Sequence, residues 1–125
     1  MKTASEWAKK IAQLIVDKKG ENVLLLDLRR ISPVTDYFLL ATAQSPIHSQ
    51  AISDELVEKL KKEGYRVHHV EGYNQAQWIL LDYLDIVVHI FLPEVRTFYG
   101  LERLWGDAPR KVFAVPNPNE TETCK

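Results

Sequence analysis

Residues 78–91 read WILLDYLDIVVHIF, and LPEVRTFYGLERLWGDAP follows at once at 92–109. Two short apolar runs, 78–81 and 86–92, flank the tetrad Asp82-Tyr83-Leu84-Asp85. Both are rich in β-branched or aromatic residues and too short for an ordinary helix, so they read as the two strands of a hairpin. A loop of two residues (Tyr83, Leu84) or of four (82–85) gives the same register, with Leu81 facing Ile86 and Trp78 facing His89. Side chains alternate across a strand. One face therefore carries Trp78, Leu80, Asp82, Asp85, Val87, His89 and Phe91. The other carries Ile79, Leu81, Ile86, Val88 and Ile90, is wholly aliphatic, and is expected in the core. The mixed face sets Asp82 nearly opposite Asp85, an unfavourable pairing of like charges. Two readings fit that pairing: two solvated turn residues, or a docking surface that awaits a cation.

On the N-terminal side, Thr3 or Ser5 caps a first helix running to about Lys19, with Gly20 as its stop. The near-continuous apolar run 23–28 is a strand buried on both faces, interrupted by Asp27. A polar connection, 29–36, leads to a second strand at 37–43, and so short a link makes the two antiparallel neighbours. Ser45 and Pro46 open a second helix with Ile52, Leu56 and Leu60 on its apolar stripe, ended by Gly64. A strand at 65–70 follows, then the loop 71–77 into the hairpin. Pro93 stops the hairpin's second strand, and 94–104 reads as a last helix with Val95, Phe98, Leu101 and Leu104 as its stripe. The order predicts one α/β domain with a mixed five-stranded sheet flanked by helices. The domain is expected to span 1–108, and 109–125 is expected as a proline-containing C-terminal tail, partly disordered.

At 125 residues with 46% apolar and 26% charged content, the chain has the composition of an ordinary globular domain. Its net charge of -1 gives no global basic field for nucleic acid. No apolar run approaches the roughly 20 residues that span a bilayer, so no membrane is expected. The single cysteine, Cys124, cannot close an internal disulfide. With no signal-peptide or presequence pattern at the start, the expected location is the cytoplasm.

The chemistry-bearing motifs are tested in turn. Nucleotidyl transfer suits the element order, but it needs paired carboxylates and a Gly-Ser turn, and the turn after the second strand reads ATAQSP. The adjacent His68 and His69 point to opposite faces, His48 and His89 lie elsewhere, and three or four converging zinc ligands are not in view. Gly-x-Ser-x-Gly, Walker and Rossmann patterns are absent. The basic clusters Arg29-Arg30 and Lys59-Lys61-Lys62 lack interleaved aromatics, so no direct nucleic-acid readout is expected. Catalysis, metal and cofactor are therefore not predicted. What remains is a binding surface. Trp78, Tyr73, Tyr83, Phe98, Tyr99 and Trp105 fall in or near the hairpin with Asp82, Asp85, Glu94, Arg96, Glu102 and Asp107. Aromatics and arginine anchor interfaces, and a net-acidic patch calls for a basic protein partner. Phe98 and Trp105 are expected in the core.

At these residues the chain resembles the ribosomal silencing factor family, also called the Iojap family. The matching pieces are Thr35-Asp36-Tyr37-Phe38, ATAQSPIHSQAISDEL with His48 and Ala51, LKKEGY, Glu71-Gly72, and WILLDYLDIVVHIFLPEVRTFYGLERLWGDA, together covering about residues 6 to 108. The resemblance implies a nucleotidyltransferase-like α/β fold without transferase activity. It implies binding to the large ribosomal subunit through its fourteenth protein (uL-fourteen), where the bound factor blocks the small subunit and lowers translation when nutrients are scarce. Members in organelles assist large-subunit assembly; a nucleotidyltransferase-like enzyme is the other class. The partner-binding residues are expected to be Trp78, Asp82, Tyr83, Asp85, Arg96 and Tyr99. Asp36, His48 and His89 are expected to be structural, with a functional role as the alternative. A homodimer through the same patch is a further candidate. The chain departs from the family pattern at Leu84, often Gly, and at Ala43, where ATG often stands.

Overall fold

Thr3 starts the first helix by a reciprocal cap. Its Oγ1 accepts the Glu6 N–H at 3.2 Å while Glu6 Oε1 accepts the Thr3 N–H at 2.8 Å. In the computed structural model, which describes residues 2–113, this helix is α1 (Ala4–Asp17), and it buries Ala8, Ile11, Ala12 and Ile15. Ser45 opens α2 (Pro46–Lys62) by accepting the His48 N–H at 3.1 Å, with Pro46 in the first turn. The remaining elements are β1 (Glu21–Asp27), β2 (Tyr37–Thr42), β3 (His69–Glu71), β4 (Trp78–Asp82), β5 (Ile86–Phe91), α3 (Pro93–Tyr99), α4 (Leu101–Leu104) and β6 (Arg110–Val112).

The strands form one open mixed sheet in the order β3-β4-β5-β2-β1-β6. β1 and β2 are antiparallel neighbours, as their short connection predicts, and β2 runs parallel to β5. Helices α1 and α2 cover one face, over Val23, Leu25, Leu39, Ile79, Leu81, Val88 and Ile90. On the other face Leu24, Leu26, Leu40 and Phe91 meet Val95 of α3 and Leu101 of α4. Burial on both faces is why the run 23–28 has no polar alternation.

The hairpin register differs from the expected one by two residues. Trp78 faces Phe91, Leu80 faces His89 and Asp82 faces Val87. The slip is even, so every side chain keeps its face. Ile79, Leu81, Ile86, Val88 and Ile90 are all fully buried. The turn lies at Leu84-Asp85: the Tyr83 N–H donates to the Ile86 carbonyl at 2.8 Å, and Leu84 takes φ 73°. Asp82 Oδ1 accepts the Leu84 N–H at 2.7 Å, which holds a non-glycine residue in the left-handed region. Asp82 and Asp85 are therefore not opposed across the ladder.

The fold corrects the expected fold class. The sheet has six strands, not five, because Arg110–Val112 pairs antiparallel with β1. All three residues of β6 are exposed. Main-chain bonds carry the pairing: Asp27 N–H to the Pro109 carbonyl and Phe113 N–H to the Val23 carbonyl, each 2.8 Å. The nucleotidyltransferase-like architecture is not adopted either; the six-stranded order, bounded by β3 at one edge and β6 at the other, carries no sign of it.

Two elements are shorter than expected. The strand at 65–70 reduces to His69–Glu71 at the sheet edge, while Tyr65 and Val67 pack onto the core from irregular chain. The last helix breaks at Gly100, φ 56°, which ends α3 and starts α4. Of the expected 94–104 stripe, Val95 and Leu101 pack on the sheet while Phe98 and Leu104 stay in water. Phe98 is 79% exposed, whereas Trp105 packs on the second core cluster. The expected tail beyond Phe113, Cys124 included, lies outside the described residues.

Candidate functional site: an aromatic and acidic sheet face

Trp78 is the first residue of β4 and points to the α3 side of the sheet. Its indole Nε1–H donates to His89 Nδ1 at 3.1 Å, and its ring packs at 4.7 Å from Tyr99 and 4.9 Å from Phe91. Phe98 stands edge-on to Tyr99 at 5.0 Å. Trp78, Phe98 and Tyr99, with Gln75, Gln77 and Glu94, line a groove of about 510 Å³. Gly72 also lines it, at φ +76°, and a Cβ there would run into the Trp78 carbonyl oxygen, so only glycine fits this approach. Tyr73 ties the loop to α2: its hydroxyl donates to Asp54 Oδ1 at 2.8 Å, and its carbonyl accepts from Gln50 Nε2 at 2.9 Å.

The face continues from Trp78 along the open part of the sheet. Leu80, Val87 and Phe38 are half-buried there, and Asp82 closes the stripe about 13 Å from Trp78, four strand residues on. His69, paired with Asp82 across β3 and β4, and Glu71 flank it on the edge. Asp85 presents an exposed side chain at the hairpin tip, and its carbonyl accepts from the N–H groups of Asp36 and Tyr37, both at 3.0 Å. The tip is thus fastened to β2. The arrangement is a shallow apolar strip with aromatics at one end and carboxylates at the other, suited to a protein surface and not to chemistry.

Two of the expected contact residues lie inside the protein. Tyr83 is 4% exposed and stacks on Tyr65 at 4.9 Å, which in turn stacks on Trp7 at 4.3 Å. Burial raises the Tyr83 phenol well above its ordinary pKa, so it stays neutral. Arg96 is 5% exposed; its Nη1 donates to the Asn22 carbonyl at 2.7 Å and Thr42 Oγ1 at 2.9 Å, and its Nε to Glu102 Oε1 at 2.9 Å. Arg96 therefore clamps α3 and α4 to β1 and β2, and both it and Tyr83 are buried within the protein. Phe98 moves the opposite way, from expected core to the most exposed aromatic of the site.

The remaining expected residues have structural partners. His48 Nδ1 accepts the Gln44 N–H at 3.0 Å, which leaves the proton on Nε2 to donate to the Lys18 carbonyl at 2.8 Å. It links the start of α2 to the end of α1. His89 is buried among Phe38, Trp78 and Phe91. Burial lowers its pKa from 6.5 to about 4. The neutral ring is the native form, so its contribution to stability is complete above about pH 6.5 and is lost as pH falls toward 4. His89→Gln is expected to remove a pH dependence on the order of 3 kcal/mol over that window, read by urea unfolding of both proteins at pH 7 and pH 4.5. Equal pH slopes would show that His89 does not titrate as its burial requires. Among the described residues no group of three or more His, Cys, Asp or Glu could hold a metal ion.

Set beside known proteins, residues 1–124 match the family model described as "Ribosomal silencing factor during starvation". The chain belongs to the ribosomal silencing factor family. It is 44% identical over 93 residues to "Ribosomal silencing factor RsfS" of Halalkalibacterium halodurans, which covers 74% of this chain and 80% of the relative. A crystal structure of a Chromobacterium violaceum protein superposes with a TM-score of 0.78 at 28% identity, covering 93% of this chain and 98% of that one. A second, from Bacillus halodurans, gives a TM-score of 0.76 at 36% identity, covering 86% and 97%. Silencing factors of this family are non-catalytic repressors of translation that bind ribosomes. Family members interact with the large ribosomal subunit.

Proposed function

We propose that this silencing factor seats its aromatic and acidic sheet face on the large ribosomal subunit, through the fourteenth protein (uL-fourteen), and so blocks the small subunit from joining. Trp78 and Tyr99, with Phe98, supply the apolar anchor; Asp82 and Asp85 meet Lys or Arg of the ribosomal protein. The observation that carries the reading is the exposure of Phe98 and Tyr99, 79% and 54%, around the Trp78 groove. Large aromatics left in water on a monomer mark an interaction surface. Repression by occlusion needs no chemistry, only a face that a partner can cover. The work would be done in the cytoplasm, in nutrient limitation.

The test is sucrose-gradient co-sedimentation with separated ribosomal subunits. The protein is expected to travel with the large subunit alone and to reduce the joined fraction when both are present. Association with neither subunit, in low or moderate salt, would overturn the reading. Asp82→Arg is expected to weaken binding by about 2 kcal/mol, since a cation then faces a basic partner. It also removes the acceptor for the Leu84 N–H, so thermal unfolding of the variant is measured alongside. A folded Asp82→Arg protein that binds normally would move the acidic contact elsewhere.

A further inference from the structure

The sheet edge away from Trp78 gathers cations that are scattered in sequence. Two adjoining depressions of about 510 and 220 Å³ share Asp27, Arg29 and Pro109 in their linings. Arg30 lines the first, and Lys9, Arg110 and Lys111 line the second. The cations come from three places in the chain: α1, the loop after β1, and β6. Pairing of β6 with β1 sets Lys111 beside Leu25 and Arg110 beside Leu26, so alternate side chains straddle the edge. Lys9, Arg30, Arg110 and Lys111 are all exposed. Among the described residues none of the four takes part in an ion pair, and Arg110 Nη2 donates to the Glu102 carbonyl at 3.2 Å. Arg29 is held by Asp27, through Nε at 3.0 Å and Nη2 at 2.8 Å, and lies over the Tyr37 ring. Asp36 is the other carboxylate close enough to act on it.

We propose that this edge grips the phosphodiester backbone of ribosomal RNA and is a second anchor beside the aromatic face. A chain of net charge -1 that gathers Lys9, Arg30, Arg110 and Lys111 along one edge, with no ion-pair partner for them among the described residues, presents there a surface complementary to a polyanion. The groove holds arginines, whose planar forks match phosphate oxygens. Among the described residues its two aromatics are both engaged: Tyr37 is 4% exposed beneath Arg29, and half-buried Phe113 packs on the core with Lys111 Nζ 5.3 Å from its ring. The contact is therefore to phosphates and independent of sequence. β6 and β4 stand four strand spacings apart, roughly 20 Å, so the edge is separate from the Trp78 groove. The inference rests on the ribosome as target, not on which ribosomal protein meets Trp78.

The test compares the full chain with Lys9→Gln/Arg30→Gln/Lys111→Gln and with a matched control, Lys59→Gln/Lys61→Gln/Lys62→Gln on α2. Binding to purified large subunits is measured across a salt series, and hydroxyl-radical footprinting of the subunit RNA is recorded. The edge variant is expected to bind at least about tenfold more weakly at moderate salt. Its slope of log affinity against log salt should be shallower by about 2, and RNA protections should be missing. The control should keep the wild-type slope and footprint. Unchanged affinity and footprint in the edge variant would overturn the proposal and leave the cations as guards against strand pairing at an open edge. Equal losses in the control would also overturn it, by making the effect one of net charge. Binding to isolated uL-fourteen, measured in parallel, reads the aromatic face alone. It is expected unchanged in the edge variant, and its absence in every protein would count against that docking partner without altering the RNA footprint.

Discussion

Replacing Phe98 and Tyr99 together by alanine is expected to weaken binding to the large ribosomal subunit about a hundredfold while leaving the fold intact. Both rings are largely in water in the free protein, at 79% and 54% exposure. Covering an aromatic ring releases on the order of 2 kcal/mol or more, and a hundredfold change in affinity is about 2.7 kcal/mol. The two rings together are thus sufficient, even after the cost of fixing them is taken out. Trp78→Ala is a poorer probe. The indole is half-buried, donates to His89 and packs on Phe91, so its removal mixes lost contact with lost stability. Subunit affinity by fluorescence or sedimentation, with a thermal melt beside it, reads the double variant. Wild-type affinity with a normal melt would take the interface away from α3.

Arg96→Met should produce the largest loss of stability among single changes at the site, about 3 kcal/mol or more by urea unfolding. The substitution leaves the Asn22 carbonyl, Thr42 Oγ1 and the Glu102 carboxylate without the donors that satisfy them. Removing one member of a buried charged pair costs more than the pair contributes, because the remaining groups stay desolvated and unpaired. Arg96→Lys should recover little, since one ammonium cannot reach three acceptors spread over β1, β2 and α4. Glu102→Gln should cost far less, as the amide oxygen still accepts from Nε. If Arg96→Met unfolded at the wild-type urea concentration, the clamp would not hold α3 and α4 in place. The aromatic site depends on it, because α3 carries Phe98 and Tyr99 beside Trp78.

The faces of the hairpin were legible because period-two alternation survives any even slip. Ile79, Leu81, Ile86, Val88 and Ile90 form the buried face in either register. The turn itself was not, because Leu84 stands at φ 73° where glycine is the usual signal. Only the Asp82 side-chain bond to the Leu84 N–H makes it tolerable, and such a bond leaves no pattern in apolar spacing. β6 escaped for a related reason. Its residues are exposed and charged, and its place is fixed by main-chain bonds to β1 that any side chains permit. Which of the expected contact residues reach the surface was half legible. Trp78, Tyr99, Asp82 and Asp85 lie on the surface expected of them, while Tyr83 and Arg96 turn inward and Phe98 turns out. A residue's type marks it as an anchor; whether it faces water depends on where Gly100 ends the helix and where the hairpin turns.

Occlusion of the small subunit is tested most directly by light scattering of purified small and large subunits as they join, with the protein added to the large subunit first. The account predicts that the joined fraction falls in step with occupancy of the large subunit, reaching near-complete inhibition at one protein per subunit. The Phe98→Ala/Tyr99→Ala protein should require about a hundredfold more to do the same. Full joining on large subunits saturated with the wild-type protein would contradict it.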